Sequence, residues 1–172
     1  MIEERKGYAT VGGAPATLLG PELKIGDVAP DVTLNADLMT EVSLSDYKSK
    51  LKLISVVPSL DTGVCDAQTR RFNQEASNLG DEVVILTISA DLPFAQSRFC
   101  TVAGIDRVVT LSDYKHRAFG MAYGVLLQEV HLDQRAIFIV DAEDKIRYIE
   151  VLQEMSEHPD YDKALSALRE ML

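Results

Sequence analysis

At 172 residues, 47% hydrophobic and 26% charged, the chain has the length and composition of one globular domain that buries its own core. Its formal net charge is −10 with no dense Lys/Arg cluster, which argues against a nucleic-acid partner; no apolar run approaches the roughly 18–20 residues that span a bilayer. The two cysteines form no secreted disulfide framework, C-x-x-C motif or zinc spacing, and the charged start Met1-Ile2-Glu3-Glu4-Arg5-Lys6 leads into no long apolar stretch, so a cytoplasmic protein without a membrane partner is expected.

Residues 7–20 hold short Thr/Val/Leu segments around Gly12-Gly13, which predicts a β-hairpin ahead of the main fold. Gly20-Pro21 and Gly26-Asp27-Val28-Ala29-Pro30 punctuate a connecting stretch. Strand-like Val42-Ser43-Leu44 precedes a stronger run, Leu51 to Val57, nearly continuous in apolar residues as a strand buried on both faces should be. A helix is predicted from Val64 to Leu79, with Phe72, Ala76 and Leu79 on one face and Gly80 as a left-handed cap. Counting back seven from Phe72 lands on Cys65, so its sulfur is expected to point inward. Val83 to Ser89 reads as a second buried strand. Pro93 opens a helix holding Phe94, Phe99, Cys100 and Val102, closed by Gly104.

Val108 to Leu111 reads as a third strand and Lys115 to Tyr123 as a short helix. Arg135 to Val140 and Ile146 to Leu152, separated by Asp141-Ala142-Glu143-Asp144-Lys145, predict an antiparallel hairpin. A last helix starts at Pro159-Asp160 and presents Tyr161, Leu165, Leu168 and Leu172 on one stripe. The order β-α-β-α-β-α-β-β-α predicts an α/β fold: a mixed sheet with helices on both faces, in a single domain over 1–172.

The chemistry concentrates at Pro58-Ser59-Leu60-Asp61-Thr62-Gly63-Val64-Cys65, where a strand gives way to a helix. A thiol in the first turn of a helix sits among free backbone N–H groups at the positive end of the dipole. Such surroundings favour the thiolate, the reactive form of cysteine. Thr62 lies three residues earlier, within reach of the sulfur on the same turn. Strand-to-helix junctions are also where open α/β sheets place their binding crevices.

The run P-S-L-D-T-G-V-C resembles the peroxidatic Pro-x-x-x-Thr-x-x-Cys motif of the peroxiredoxins. Ser89-Ala90-Asp91-Leu92-Pro93-Phe94-Ala95-Gln96-Ser97-Arg98-Phe99-Cys100 is similar to the matching run of one branch, the bacterial thiol peroxidases. Ala122-Tyr123-Gly124-Val125, the strand beginning at Arg135 and the N-terminal hairpin fit the same branch, so the likeness covers essentially the whole chain. It implies a thioredoxin-like fold and a thiol-dependent peroxidase acting on hydrogen peroxide or organic hydroperoxides in antioxidant defence. By the same likeness Cys65 is the peroxidatic and Cys100 the resolving cysteine, joined in an intramolecular disulfide. Thr62 bonds sulfur and peroxide, Pro58 shields the pocket, and Arg135 supplies positive charge. Thioredoxin as reductant and a homodimer are implied too, with no flavin or metal, because sulfur carries both electrons. One departure concerns Arg135: Asp133-Gln134 precede it where relatives have small or apolar residues, and a carboxylate there would partly neutralise the guanidinium.

A magnitude shows what such a pocket must do. An unperturbed thiol is only a few per cent ionised near pH 7, so full ionisation gains roughly 30-fold. The larger share must come from donors aimed at the charge that develops as the O–O bond breaks, each worth on the order of 2.7–4 kcal/mol. The ordinary alternatives stand beside this reading. Inward-facing helical cysteines are usually small buried hydrophobes, which applies with more force to Cys100 than to Cys65. Thr at a helix start is most often an N-cap, and an arginine at a strand start is most often solvated or ion-paired. Two rival functions follow, a redox sensor with the same cysteine chemistry and a non-catalytic thioredoxin-like binding module. His116, His131 and His158 show no ligand spacing, and Asp141-Ala142-Glu143-Asp144 lacks the spacing of a calcium loop.

Overall fold

Every strand that carries the site meets its neighbours in one seven-stranded sheet. The computed structural model describes residues 1–172. In chain order the strands are β1 (Glu4–Val11), β2 (Ala14–Leu19), β3 (Thr33–Asn35), β4 (Glu41–Ser43), β5 (Leu51–Val56), β6 (Val83–Ser89), β7 (Val109–Ser112), β8 (Leu126–Leu127), β9 (Ala136–Val140) and β10 (Ile146–Val151). The helices are α1 (Gly63–Ala76), α2 (Pro93–Ala103), α3 (Ala118–Ala122) and α4 (Tyr161–Arg169). The large sheet runs β10-β9-β5-β6-β7-β3-β4, and a small antiparallel sheet runs β1-β2-β8. β5, β6 and β7 are parallel, while β9 lies antiparallel to β5.

The central strands alternate between two cores, as the two-residue period of a strand requires. Leu51, Leu53, Ile85, Ile137 and Ile139 meet Phe72 of α1 and Leu165 and Leu168 of α4 on one face. Ile54, Val56, Leu86, Ile88, Phe138 and Val140 meet Phe119 and Tyr123 on the other. Phe72 and Tyr161 pack edge to face at 5.7 Å, an arrangement worth about 0.5–1.5 kcal/mol beyond its buried area; it ties α1 to α4 beneath the sheet.

Local signals set several boundaries. Gly12 and Gly13 take φ of 57° and 80°, the two positive values a two-residue hairpin turn requires, and β1 pairs with β2 from Glu4↔Leu19 to Val11↔Ala14. Pro93 occupies the first turn of α2 and Gly104, at φ 67°, caps its end. The cap expected at Gly80 is not there: α1 ends at Ala76, Ser77 is its C-cap, and Gly80 has no left-handed backbone. α3 is shorter than the predicted 115–123, with Arg117 at its N-cap position. On α4 the buried stripe is Ala164, Leu165 and Leu168, and Leu172 is exposed.

The pairing between β5 and β9 positions the chemistry. Val56 pairs with Ala136, so the residue before β9, Arg135, arrives beside the end of β5, where the chain turns through Pro58 into α1.

Candidate functional site

At the start of α1, Cys65 is fully buried, packed with Val57 and Leu60. Thr62 stands at the N-cap position with extended backbone, yet its hydroxyl caps no helix N–H. It donates instead to Cys65 Sγ at 2.6 Å, with Ser59 O at 3.1 Å as a second acceptor. The N–H groups of Gly63, Val64 and Cys65 therefore have no acceptor within the protein, and the helix keeps these donors free at its positive end. Pro58 is buried at the turn out of β5.

Arg135 is 2% exposed. Its Nη2 donates to Cys65 Sγ at 3.2 Å, its Nη1 to Gln68 Oε1 at 2.9 Å and its Nε to Met155 O at 3.0 Å. None of these partners is a carboxylate. Gln68, one turn after Cys65 and wholly buried, completes the arrangement by donating from Nε2 to Ser55 Oγ at 2.8 Å. Gln68 is absent from the sequence-based set because a search for apolar periodicity skips a polar side chain on the inward face. Its signal was position: residues 65, 68 and 72 share one stripe.

The neutralising role expected of Asp133 is overturned. Asp133 is fully buried and neither of its oxygens bonds to Arg135. Its backbone bridges to Leu126 and its carboxyl turns toward α3, where Asp113 accepts from the N–H groups of Phe119 and Gly120 at 3.0 and 2.9 Å. Burial and the neighbouring Asp113 charge push the Asp133 carboxyl well above the usual carboxylate range, which favours its neutral form. Gln134, the other departure, spends its amide on Leu152 O and Gln153 O. Both residues work away from the sulfur.

Cys100 lies apart from this group. Its sulfur is 3.8 Å from Thr110 Oγ1 on β7, and burial pushes its thiol upward from the ordinary cysteine value. It lines a recess with Pro93, Ser97 and Thr110, whereas Arg98, Phe99 and Val102 of the same helix line a different groove of about 400 Å³ beside Thr62 and Gly63. Phe99 packs against the cluster that contains Cys65. Both cysteines are free thiols. No group of three acidic, histidine or cysteine side chains is placed to hold a metal, and no helix is long and apolar enough to cross a membrane.

The mixed sheet, the crossing from β5 into α1 and the cysteine at that crossing define a thioredoxin-like α/β protein. Residues 24–165 match the Redoxin family. The chain is 60% identical over 154 residues to a thiol peroxidase of Oceanobacillus iheyensis, covering 90% of this chain and 93% of the relative. It is 51% identical over 163 residues to a thiol peroxidase of Bacillus subtilis, covering 95% and 97%. A crystal structure of a peroxiredoxin-like protein from Aquifex aeolicus superposes with a TM-score of 0.89 at 36% identity, over 99% of both chains. The chain belongs to the Redoxin family and, within it, to the bacterial thiol peroxidases; its activity is that of a peroxiredoxin-type peroxidase.

Proposed function

We propose that Cys65 is the peroxidatic residue, that Cys100 resolves it, and that thioredoxin closes the cycle in a cytoplasmic homodimer. The observation that carries this reading is the buried guanidinium of Arg135 against Cys65 Sγ, with no carboxylate among its partners. An uncompensated buried charge costs several kcal/mol, and the sulfur anion is the group in bonding distance that offsets it. A redox-inert core cysteine has no need of such a partner, which argues against the binding-module alternative.

In the first step the Cys65 thiolate attacks the distal oxygen of a hydroperoxide. Two sulfur electrons form the S–O bond, the O–O bond breaks, and the leaving oxygen takes a proton to depart as water or an alcohol, leaving a sulfenic acid. Negative charge builds on both oxygens as they separate. The free N–H groups of Gly63, Val64 and Cys65, the Thr62 hydroxyl and the Arg135 guanidinium face that charge. Donors fixed in advance act on the transition state more than on the ground state. Pro58 fills the turn out of β5 and keeps water from the sulfur.

In the second step the Cys100 thiol condenses with the sulfenic acid, releasing water and forming the disulfide. Disulfide geometry needs Cα atoms within roughly 4.4–6.8 Å, yet Cys100 faces Thr110 and Phe99 packs against the Cys65 cluster. Unwinding at the start of α1, in α2, or in both supplies the movement. It also brings Cys100 into water, removing the burial that suppresses its ionisation, so this thiol becomes nucleophilic as the helix opens. A thioredoxin dithiol then reduces the bridge, which suits a reducing compartment. Leu92 and Phe94, exposed at the head of α2 (Phe94 at 66%), offer the apolar surface on which a second copy rests.

The test is hydroperoxide-dependent NADPH consumption in the presence of thioredoxin and its reductase. Turnover with hydrogen peroxide or a bulkier alkyl hydroperoxide is expected, and silence with both overturns the reading. A redox sensor with the same chemistry would oxidise once and recycle slowly.

A further inference from the structure

Two residues upstream of Thr62, the loop is held by a carboxylate from another part of the chain. Asp91 lies between β6 and α2. Its Oδ1 accepts from Ser59 Oγ at 2.7 Å, and its Oδ2 accepts from Leu60 N–H at 2.8 Å and Ser89 Oγ at 2.7 Å. Its backbone carbonyl accepts from Ser112 Oγ on β7. Gln96, buried in the first turns of α2, donates to Ser89 Oγ and Leu111 O, each at 3.0 Å. The carboxylate therefore joins the loop before Cys65 to the root of the helix that carries Cys100.

We propose that Asp91 is a positioning residue that latches the peroxide-reducing arrangement and whose release permits disulfide formation. The inference rests on the roles proposed above for Cys65 and Cys100. With the latch engaged, Ser59 is fixed and its carbonyl accepts from Thr62 N–H at 3.3 Å, which fixes the backbone from which the Thr62 hydroxyl reaches Sγ at 2.6 Å. With it released, Ser59-Leu60 and the head of α2 separate, and these are the segments that must move before the two sulfurs meet. One carboxylate thus favours the first chemical step and opposes the second. Hydrogen bonds to an ionised acceptor are roughly twice as strong as neutral ones, so the two that Asp91 accepts from the loop, from Ser59 Oγ and Leu60 N–H, suffice to set this balance.

Asp91→Ala is expected to slow oxidation of Cys65 by hydroperoxide about tenfold. The same change should hasten conversion of sulfenic acid to disulfide several-fold, and so raise the peroxide dose at which sulfinic acid accumulates. Asp91→Asn keeps an oxygen for Leu60 N–H and an amide to donate to Ser59 Oγ, so it should fall between Asp91→Ala and the native chain. Ser59→Ala removes one donor and should shift both steps in the same directions by less; it tests the latch even if Asp91→Ala does not fold. Rapid quenching with an alkylating reagent, followed by intact-mass analysis, separates thiol, sulfenic, disulfide and sulfinic forms. If Asp91→Ala or Ser59→Ala slows both steps, or leaves their ratio as in the native chain, the latch is refuted while the cysteine roles stand. If peroxide leaves Cys65 of the native chain unoxidised, the cysteine roles fall first, and the latch with them.

Discussion

The two cysteines occupy opposite kinds of surroundings. Around Cys65 the protein has gathered donors: a hydroxyl at 2.6 Å, a guanidinium at 3.2 Å and three N–H groups the helix leaves free. Around Cys100 there is a single distant hydroxyl, and burial raises its thiol above the ordinary value. In the proposed cycle the first sulfur would attack from a fixed frame, and the second would react only once its helix moves. On that proposal the contrast divides the labour of the two steps: attack needs fixed geometry, whereas resolution needs a fold that gives way. A resolving role that rests on motion would leave a weaker static site, as Cys100 does.

Exchanging the sulfurs for oxygen should break the comparison most sharply. Cys65→Ser is expected to abolish peroxide reduction, whereas Cys100→Ser should keep one rapid equivalent of peroxide consumed per chain and lose sustained turnover with thioredoxin. A single-turnover measurement distinguishes the two; comparable defects in both would erase the division of labour. Next in size, Arg135→Met should lower the rate of Cys65 oxidation by about 10²–10³, the usual effect of losing a donor that faces developing negative charge. Stopped-time quenching at limiting peroxide measures it, and an effect below threefold would remove Arg135 from the chemistry.

A finer test concerns what offsets the buried guanidinium. Gln68→Met costs an oriented partner and should slow Cys65 oxidation about tenfold. Gln68→Glu supplies a carboxylate at the same position, competes with the sulfur anion for Arg135 and should be the slower of the two. The reverse ranking would mean that the sulfur does not act as the counter-ion.

The smallest effect lies behind the site. The raised Asp133 carboxyl means that, above the ordinary carboxylate range, the native state holds a proton the unfolded chain has lost. Stability from this source is therefore complete below the ordinary value and declines as pH rises through the raised native one. Asp133→Asn cannot ionise, so urea midpoints should be higher than for the parent at neutral pH and converge toward it in acid. A parallel pair of pH profiles would contradict the raised Asp133 carboxyl.

What the sequence made legible was local. Pro93 and Gly104 bracketed α2 correctly because a fixed φ and a left-handed cap act on their own residues. Gly12-Gly13 marked the first hairpin for the same reason. β3 and β8 went unread, since strands of three and two residues carry no periodicity and exist only through their pairing with β4, β7 and β2. Thr62, Cys65 and Arg135 were all named from motif, and the structure brings the three together. Their joint geometry came from the order of strands, which no local pattern reveals. Asp133 was misjudged because nearness along the chain was taken for nearness in space. Its backbone still pairs with Leu126, while Arg135 has already turned to the end of β5.

The Val56↔Ala136 register has a last consequence, for how this enzyme tolerates change in length. A strand's side chains reverse sides with every added residue. One residue inserted between Arg135 and Ala136 would swing the guanidinium to the far side of the sheet, with composition almost untouched. The turn Asp141–Lys145, at the other end of β9, can lengthen without that penalty. Variation in this lineage should therefore accumulate as substitutions near the arginine and as insertions away from it.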